Sequence, residues 1–272
     1  MKKTLLVEPF DVYRAKAAEN LSSHALGDFR ASPDLYCRKS LGLVPDRDSK
    51  HYKVGRAAHA LVLEGREAFR RDYTVGSGPI NDKTGNPYGT ATKAYSEWAT
   101  AQAGEILTES EGITVETVAA SVKSHPFAAV LIDGRGQAEG VARARYCGEP
   151  CQIRFDYLRA GGDIVDFKTC RDIERFEYDA AAYGYINQLA FYRSVAMAAG
   201  VPLSGNVYLI ASETDGVKNR TGVWRAEAAT LDAAEEQNRI AIANLQACRA
   251  TDSWPTGFEE LRTLTSSKKG TE

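Results

Sequence analysis

The sequence predicts an α/β fold with a mixed central sheet flanked by helices, in the order αβββαβ, preceded by a helical region. Three observations carry this reading. Residues 136–146, 151–159 and 162–169 are three apolar, β-rich runs joined by the short connections Cys147-Gly148-Glu149-Pro150 and Ala160-Gly161-Gly162, which suits an antiparallel meander. A long helical pattern, Ala180–Ala199, follows and closes at Gly200-Val201-Pro202. A further apolar strand, Asn206–Ser212, comes after it.

The elements before the meander are helical. Residues 1–20 form an entry segment. Met1–Val7 starts like a leader, but Glu8 and Asp11 interrupt its apolar stretch. Ser22-Ser23 caps a short helix that breaks near Ser32-Pro33, and Val54–Glu64 has helical spacing ending at Gly65. Residues 76–92 are dense in Gly, Pro and Asn and read as a long loop. A helix over Lys93–Gly104 follows, and Thr108-Glu109-Ser110-Glu111 has the spacing of a capping box opening a helix to about Lys123. After the meander come a strand at Gly222–Glu227 and an amphipathic helix from Leu231 to about Arg249. The organisation expected is one domain over 1–262, with an elaboration at about 66–124, a core at about 125–230, and a polar, disordered tail over 263–272.

Composition narrows the class. The 272 residues carry a net charge of −2 and no apolar run long enough to span a bilayer, so a cytoplasmic protein is expected. Five scattered cysteines do not make a disulfide framework. Cys147 and Cys151 flank a turn, without the second Cys/His pair that a zinc site needs. The pI of about 6.2 means that any nucleic acid must be held by a local basic groove.

Alternation along the third strand places Ile164, Asp166 and Lys168 on one face and Val165 and Phe167 on the other. Gln152, Arg154 and Asp156 share a face of the second strand. Glu139, Val141, Arg143 and Arg145 share one on the first. A tight meander can then gather Glu139, Asp156 and Asp166 beside Lys168. Converging carboxylates repel unless a cation joins them, and a hard divalent ion accepts such oxygens. An Asp-x-Lys pair by itself is common on strands; the acid ten positions upstream makes the set informative. Tyr185, Gln188 and Tyr192 add a polar stripe to the helix that follows.

The run Asp156…Val165-Asp166-Phe167-Lys168-Thr169, with Tyr185-Ile186-Asn187-Gln188 and Tyr192 after it, resembles the core of PD-(D/E)xK nucleases, which have a restriction-endonuclease-like fold. Within that superfamily the chain is most similar to the RecE (exonuclease VIII) family of phage recombination exonucleases. Further matching pieces are Ser22–Leu26 with Ser32-Pro33, Gly55–Glu64, His125-Pro126, Ala138-Glu139-Gly140 and Trp254-Pro255. The resemblance implies Mg²⁺, with Mn²⁺ able to substitute, held by Asp156, Asp166 and the Phe167 carbonyl. It implies that Lys168 orients the attacking water, that Glu139 and His59 serve the metal site, and that Gln188 supports the site with Tyr192 beside it. The third-strand acid is Asp where many superfamily members carry Glu, and the cysteine spacing excludes an iron–sulfur cluster. For DNA contact the candidates are Arg143, Arg145, Arg154 and Lys93, with Arg135 and Lys83. The activity implied is degradation of linear double-stranded DNA, 5′→3′, leaving single strands for a RecT-like annealing protein, by a ring-shaped homo-oligomer. The alternatives are an endonuclease, a nuclease subunit of a repair or CRISPR-type complex, and an inactive DNA-binding relative.

Overall fold

Capping and turn chemistry set the helical first half. The computed structural model describes residues 5–45 and 50–263, so most of the polar tail and the leader-like Met1–Thr4 lie outside the described residues. A two-residue strand β1 (Leu6–Val7) and helix α1 (Phe10–Ala15) lead to α2 (Ser23–Ala31) and α3 (Pro33–Ser40). Ser22 Oγ accepts the Ala25 N–H at 3.2 Å and Ser32 Oγ the Leu35 N–H at 3.4 Å, with Pro33 in the first turn of α3. Then come α4 (Lys50–His59), widening into a π turn over Ala60–Glu64, α5 (Arg66–Asp72), β2 (Tyr73–Val75), α6 (Lys93–Thr100), β3 (Glu105–Leu107), α7 (Glu109–Ser124) and α8 (Pro126–Ile132). The capping box forms: Thr108 Oγ1 accepts from the Glu111 N–H, and Glu111 Oε2 accepts from the Thr108 N–H at 2.8 Å. The helix expected over Lys93–Gly104 stops earlier, because Gly104 (φ +79°) turns the chain into β3, which pairs in parallel with β2.

The second half comprises β4 (Gly136–Ala138), β5 (Gly140–Tyr146), β6 (Glu149–Arg154), β7 (Tyr157–Arg159), β8 (Ile164–Cys170), α9 (Phe176–Ala182), α10 (Tyr185–Ala198), β9 (Val207–Glu213), β10 (Thr221–Arg225) and α11 (Ala228–Thr251). The main sheet has the order β10-β9-β8-β7-β4, and a second sheet the order β1-β5-β6. Strands β8 and β9 run parallel, joined through α9 and α10; the other pairs of the main sheet are antiparallel. This is a central mixed sheet flanked by helices, as the sequence predicts.

Two further expectations need correction. The first two strands of the meander are each broken in the middle. Glu139 has φ +56°, a left-handed conformation that bends a strand sharply. Opposite the bend, the second strand breaks between Arg154 and Tyr157. The chains stay paired across the break, since the Glu139 N–H donates to the Asp156 carbonyl at 3.2 Å and the Phe155 N–H to the Gly140 carbonyl at 2.9 Å. One hairpin is thereby shared between two sheets. The second correction concerns the helix after β8. Gly184, at φ +68°, splits the expected Ala180–Ala199 helix into α9 and α10.

Both faces of β8 are packed. Ile164 joins a core with Phe155, Leu189, Phe191, Leu231 and Ile242, under α2, α10 and α11. Val165 and Phe167 join another with Leu61, Val115, Val118 and Ile210, under α4, α7 and α8. Each such large side chain contributes about 1.5–3 kcal/mol when fully buried. Asp166, which shares a face with Ile164, is therefore a carboxylate at 1% exposure inside the protein.

Candidate active site

The fork between the two sheets creates the site. Strand β7 pairs with β8 only at Tyr157↔Val165 and Leu158↔Ile164. Beyond Val165 that edge of β8 faces the space where β6 and β5 diverge. Asp156, at the break, takes over as the partner: its Oδ2 accepts the Phe167 N–H at 2.8 Å. The same short stretch of strand then carries Asp166 and Lys168, whose Nζ lies 2.5 Å from Asp166 Oδ2.

His59 closes the group from the other side. It sits where α4 widens into the π turn, whose i→i+5 bond from the Gly65 N–H to the Ala60 carbonyl is 3.0 Å long. Such widened turns re-aim side chains and are frequent at functional sites. Its Nδ1 is 3.1 Å from Glu139 Oε1 and its Nε2 3.1 Å from Asp156 Oδ1. Arg154 Nε reaches Glu139 Oε2 at 2.5 Å. The structure thus brings together Glu139, Asp156, Asp166, Lys168 and His59, and the three acids are each closed by a protein cation.

Electrostatics separates the acids. Burial pushes the Asp156 carboxyl upward, but His59 and Lys168 outweigh it and, with the Phe167 N–H, hold it well below the ordinary carboxylate range. Burial and the neighbouring Asp156 charge push Asp166 up to about 6, against Lys168. Burial raises Glu139 to about 7, opposed by His59. For His59 burial disfavours the cation, yet Asp156 and Glu139 prevail and lift it to about 9. Lys168 is likewise raised by Asp166 and Asp156 in spite of burial. Lys168 and Asp166 do not respond symmetrically, because Lys168 sees two carboxylates whereas Asp166 sees one ammonium and one like charge.

A divalent cation fits the donor set. Both Asp166 oxygens are buried, Oδ2 meeting only the Lys168 ammonium and Oδ1 no hydrogen-bond donor, and buried oxygens with open acceptor capacity beside a second carboxylate are what a hard cation would satisfy. No three His, Cys, Asp or Glu side chains among the described residues already converge as a ligand set. The acids are turned toward His59, Arg154 and Lys168 instead. The Phe167 main chain contributes its N–H to Asp156.

The remaining predicted residues divide. Gln188 Nε2 donates to the Tyr192 hydroxyl at 2.9 Å, and Tyr192 is buried, its ring edge-on to Phe155. Burial raises the Tyr192 hydroxyl well above its ordinary value, with Asp156 and Asp166 among the charges it feels. Tyr185 cups the lysine, Lys168 Nζ lying 5.2 Å from its ring centroid. The expected DNA-contacting arginines are otherwise engaged. Arg143 bonds both oxygens of Glu8 and Gln152 Oε1. Arg154 serves Glu139 and stacks over Phe10 at 5.0 Å, and Arg145 donates to the Gly148 carbonyl at 2.5 Å. Internal partners tie these three down, which weakens the expectation of a free basic track on that face. Lys93 is exposed on α6, 3.5 Å from Glu97; Arg135 and Lys83 are exposed as well. Sequence reasoning missed Glu8 and Phe10, which neutralise and cover the arginines. An acidic residue in an entry segment gives no signal of a partner far along the chain.

The comparisons bear on the family and the fold. Residues 22–266 match a family described as a PDDEXK-like domain of unknown function (DUF3799). The fold is similar to the crystal structure of a protein from Eubacterium rectale named "putative exonuclease", with a TM-score of 0.66, 14% identity and 96% of each chain covered. No curated protein matches.

Proposed function

Because the chain belongs to the PDDEXK-like DUF3799 family, whose fold is that of nucleases, we propose that it is a metal-dependent DNA exonuclease acting on linear duplex ends. The observation that carries the reading is the Asp156–Asp166–Lys168 group at the fork of the sheets, with Asp166 buried and the other two half-buried. Asp156 and Asp166 would hold Mg²⁺ or Mn²⁺, with Glu139 and His59 behind them. Such a cation, when bound, supplies a lowered water pKa and charge stabilisation on a phosphoryl oxygen. Lys168, held cationic by two carboxylates, orients the attacking water and offsets negative charge on the phosphate. His59 keeps Glu139 and Asp156 apart and fixed. Gln188, anchored on the buried Tyr192, holds the α10 side of the cleft.

Exonuclease rather than endonuclease action, the 5′→3′ direction and transfer of the strand to a RecT-like annealing protein are supported by the resemblance to RecE-type sequences. A ring-shaped homo-oligomer suits a processive enzyme whose net charge is −2, since enclosure replaces electrostatic grip. A gel comparison of linear duplex with closed circular plasmid in Mg²⁺ tests the mode of action. Degradation of the linear form with the circle intact is expected; rapid cutting of closed circles would refute it. Light scattering well above the 29.7 kDa of one chain is expected for the ring.

A further inference from the structure

Beside Lys168 lies a pair of tyrosine rings that the hydrolytic chemistry does not use. Tyr183 follows α9 and precedes the left-handed Gly184, and its side chain lies open: the residue is 70% exposed. Its ring centroid is 5.9 Å from that of Tyr185, with the planes tilted by 42°. Tyr185 in turn receives Lys168 Nζ at 5.2 Å and is backed by Phe176 at 6.1 Å, which packs on Trp224 at 4.6 Å. Two short steps therefore connect an exposed phenol ring to the lysine of the candidate site.

The turn that carries the ring is closely packed on one side. A side chain at Gly184 would meet the Arg30 guanidinium at 3.2 Å, so α2 closes over this turn, and the left-handed backbone there suits glycine. Tyr178 on α9 is as exposed, at 68%, but Arg175 lies over its ring at 5.5 Å. Tyr183 is thus the better-placed surface for an incoming aromatic face.

We propose that Tyr183 is a stacking platform for an unpaired nucleobase next to the phosphate being cleaved. The proposal deepens the nuclease reading and rests on it. Bases inside a duplex are already stacked on each other and cannot offer a face to a protein ring. The base seated on Tyr183 is therefore a terminal or an unpaired one, and an unpaired one can reach the ring from a frayed end. Aromatic stacking of this kind accepts any base, because every base has a π face. It suits an enzyme that must degrade without regard to sequence, and it supplies grip on a chain whose arginines near the site are engaged internally.

The test is binding of single-stranded oligonucleotides carrying 2-aminopurine at each of the terminal positions in turn. It uses the full chain in EDTA, so that binding is read without turnover. Wild type and Tyr183→Phe should quench the fluorescence at one or two positions and bind alike. Tyr183→Ala should lose the quench and bind at least about fivefold more weakly, with an unchanged melting temperature, since the side chain is exposed. Equal binding and equal quench in Tyr183→Ala, or no quench at any position with wild type, would overturn the platform. The same preparations are assayed for cleavage of linear duplex in Mg²⁺. Cleavage by wild type with no change in Tyr183→Ala binding sinks the platform alone, whereas quench without any cleavage sinks the nuclease reading.

Discussion

Replacing Asp166 by Asn should raise the stability of the metal-free protein while abolishing its activity. Asp166 is 1% exposed, and its carboxyl titrates near 6 against an ordinary value of 3.8. Burial and Asp156 raise it, and Lys168 fails to compensate. Folding must therefore carry an ionised group that prefers to be neutral. At about 1.4 kcal/mol for each pKa unit, the cost above pH 6 is of the order of 3 kcal/mol. The sign follows from the direction of the shift. A carboxyl raised on folding contributes no penalty below pH 3.8; stability is lost as pH rises through about 6, and the loss is complete above it. An amide of the same shape removes that penalty, so Asp166→Asn should gain roughly 1–3 kcal/mol at pH 8 and almost nothing near pH 4. Lys168 keeps Asp156 and the Tyr185 ring as partners. Urea or thermal denaturation in EDTA reads the difference, a gain of roughly 2–4 °C per kcal/mol for a chain of this size. Adding Mg²⁺ should stabilise wild type by ligand linkage and leave the variant unmoved. A variant less stable than wild type at pH 8 in EDTA would show that the charged Asp166–Lys168 pair is net favourable and refute the reasoning.

Two further outcomes are expected. Lys168→Ala should lose at least about 10²-fold in cleavage rate yet keep its stabilisation by Mg²⁺, measured by steady-state cleavage and melting curves; near-normal turnover would remove the lysine from the mechanism. Glu213→Ala should destabilise the end of the β8–β9 pair. Glu213 is buried, accepts from the Arg220 and Ile173 N–H groups, and is bonded by the Arg220 guanidinium, which holds its pKa down at about 2. The loss should be roughly 3 kcal/mol, at the low end for a broken buried pair, because Arg220 is 35% exposed and retains Glu174. A depressed carboxyl contributes stability above its ordinary 4.5, and that contribution fades as pH falls through about 2, so the wild-type advantage in urea should shrink on acidification.

Much of the scaffold was legible because its signals are local. The Thr108/Glu111 capping box, the Ser22 cap, the break at Ser32-Pro33 and the Gly65 stop are patterns within one turn of helix, and each forms. The αβββαβ order followed from runs of apolar residues and short connections. The bend at Glu139 was not legible. A left-handed residue is signalled in sequence by Gly, Asn or Asp, and Glu139 is none of these. Assuming continuous alternation through 136–146 therefore placed Glu139 on a strand face when it lies at a break. The split at Gly184 was available, since glycine inside a helical run warns of it. Asp166 and Lys168 were found by motif, but the burial of Asp166 depends on helices closing over the sheet, which spacing along β8 cannot express. Glu8 and Phe10 engage Arg143 and Arg154 across more than a hundred residues, a relation no local pattern encodes.

The central claim is that Asp156 and Asp166 hold a metal that cleaves DNA, and it is tested by one measurement. End-labelled linear duplex is incubated with wild type and with Asp156→Ala, each in Mg²⁺ and in EDTA. Progressive shortening of the duplex by wild type in Mg²⁺, and by no other combination, is the expected result. Shortening by wild type in EDTA, or by Asp156→Ala at an undiminished rate in Mg²⁺, would contradict it.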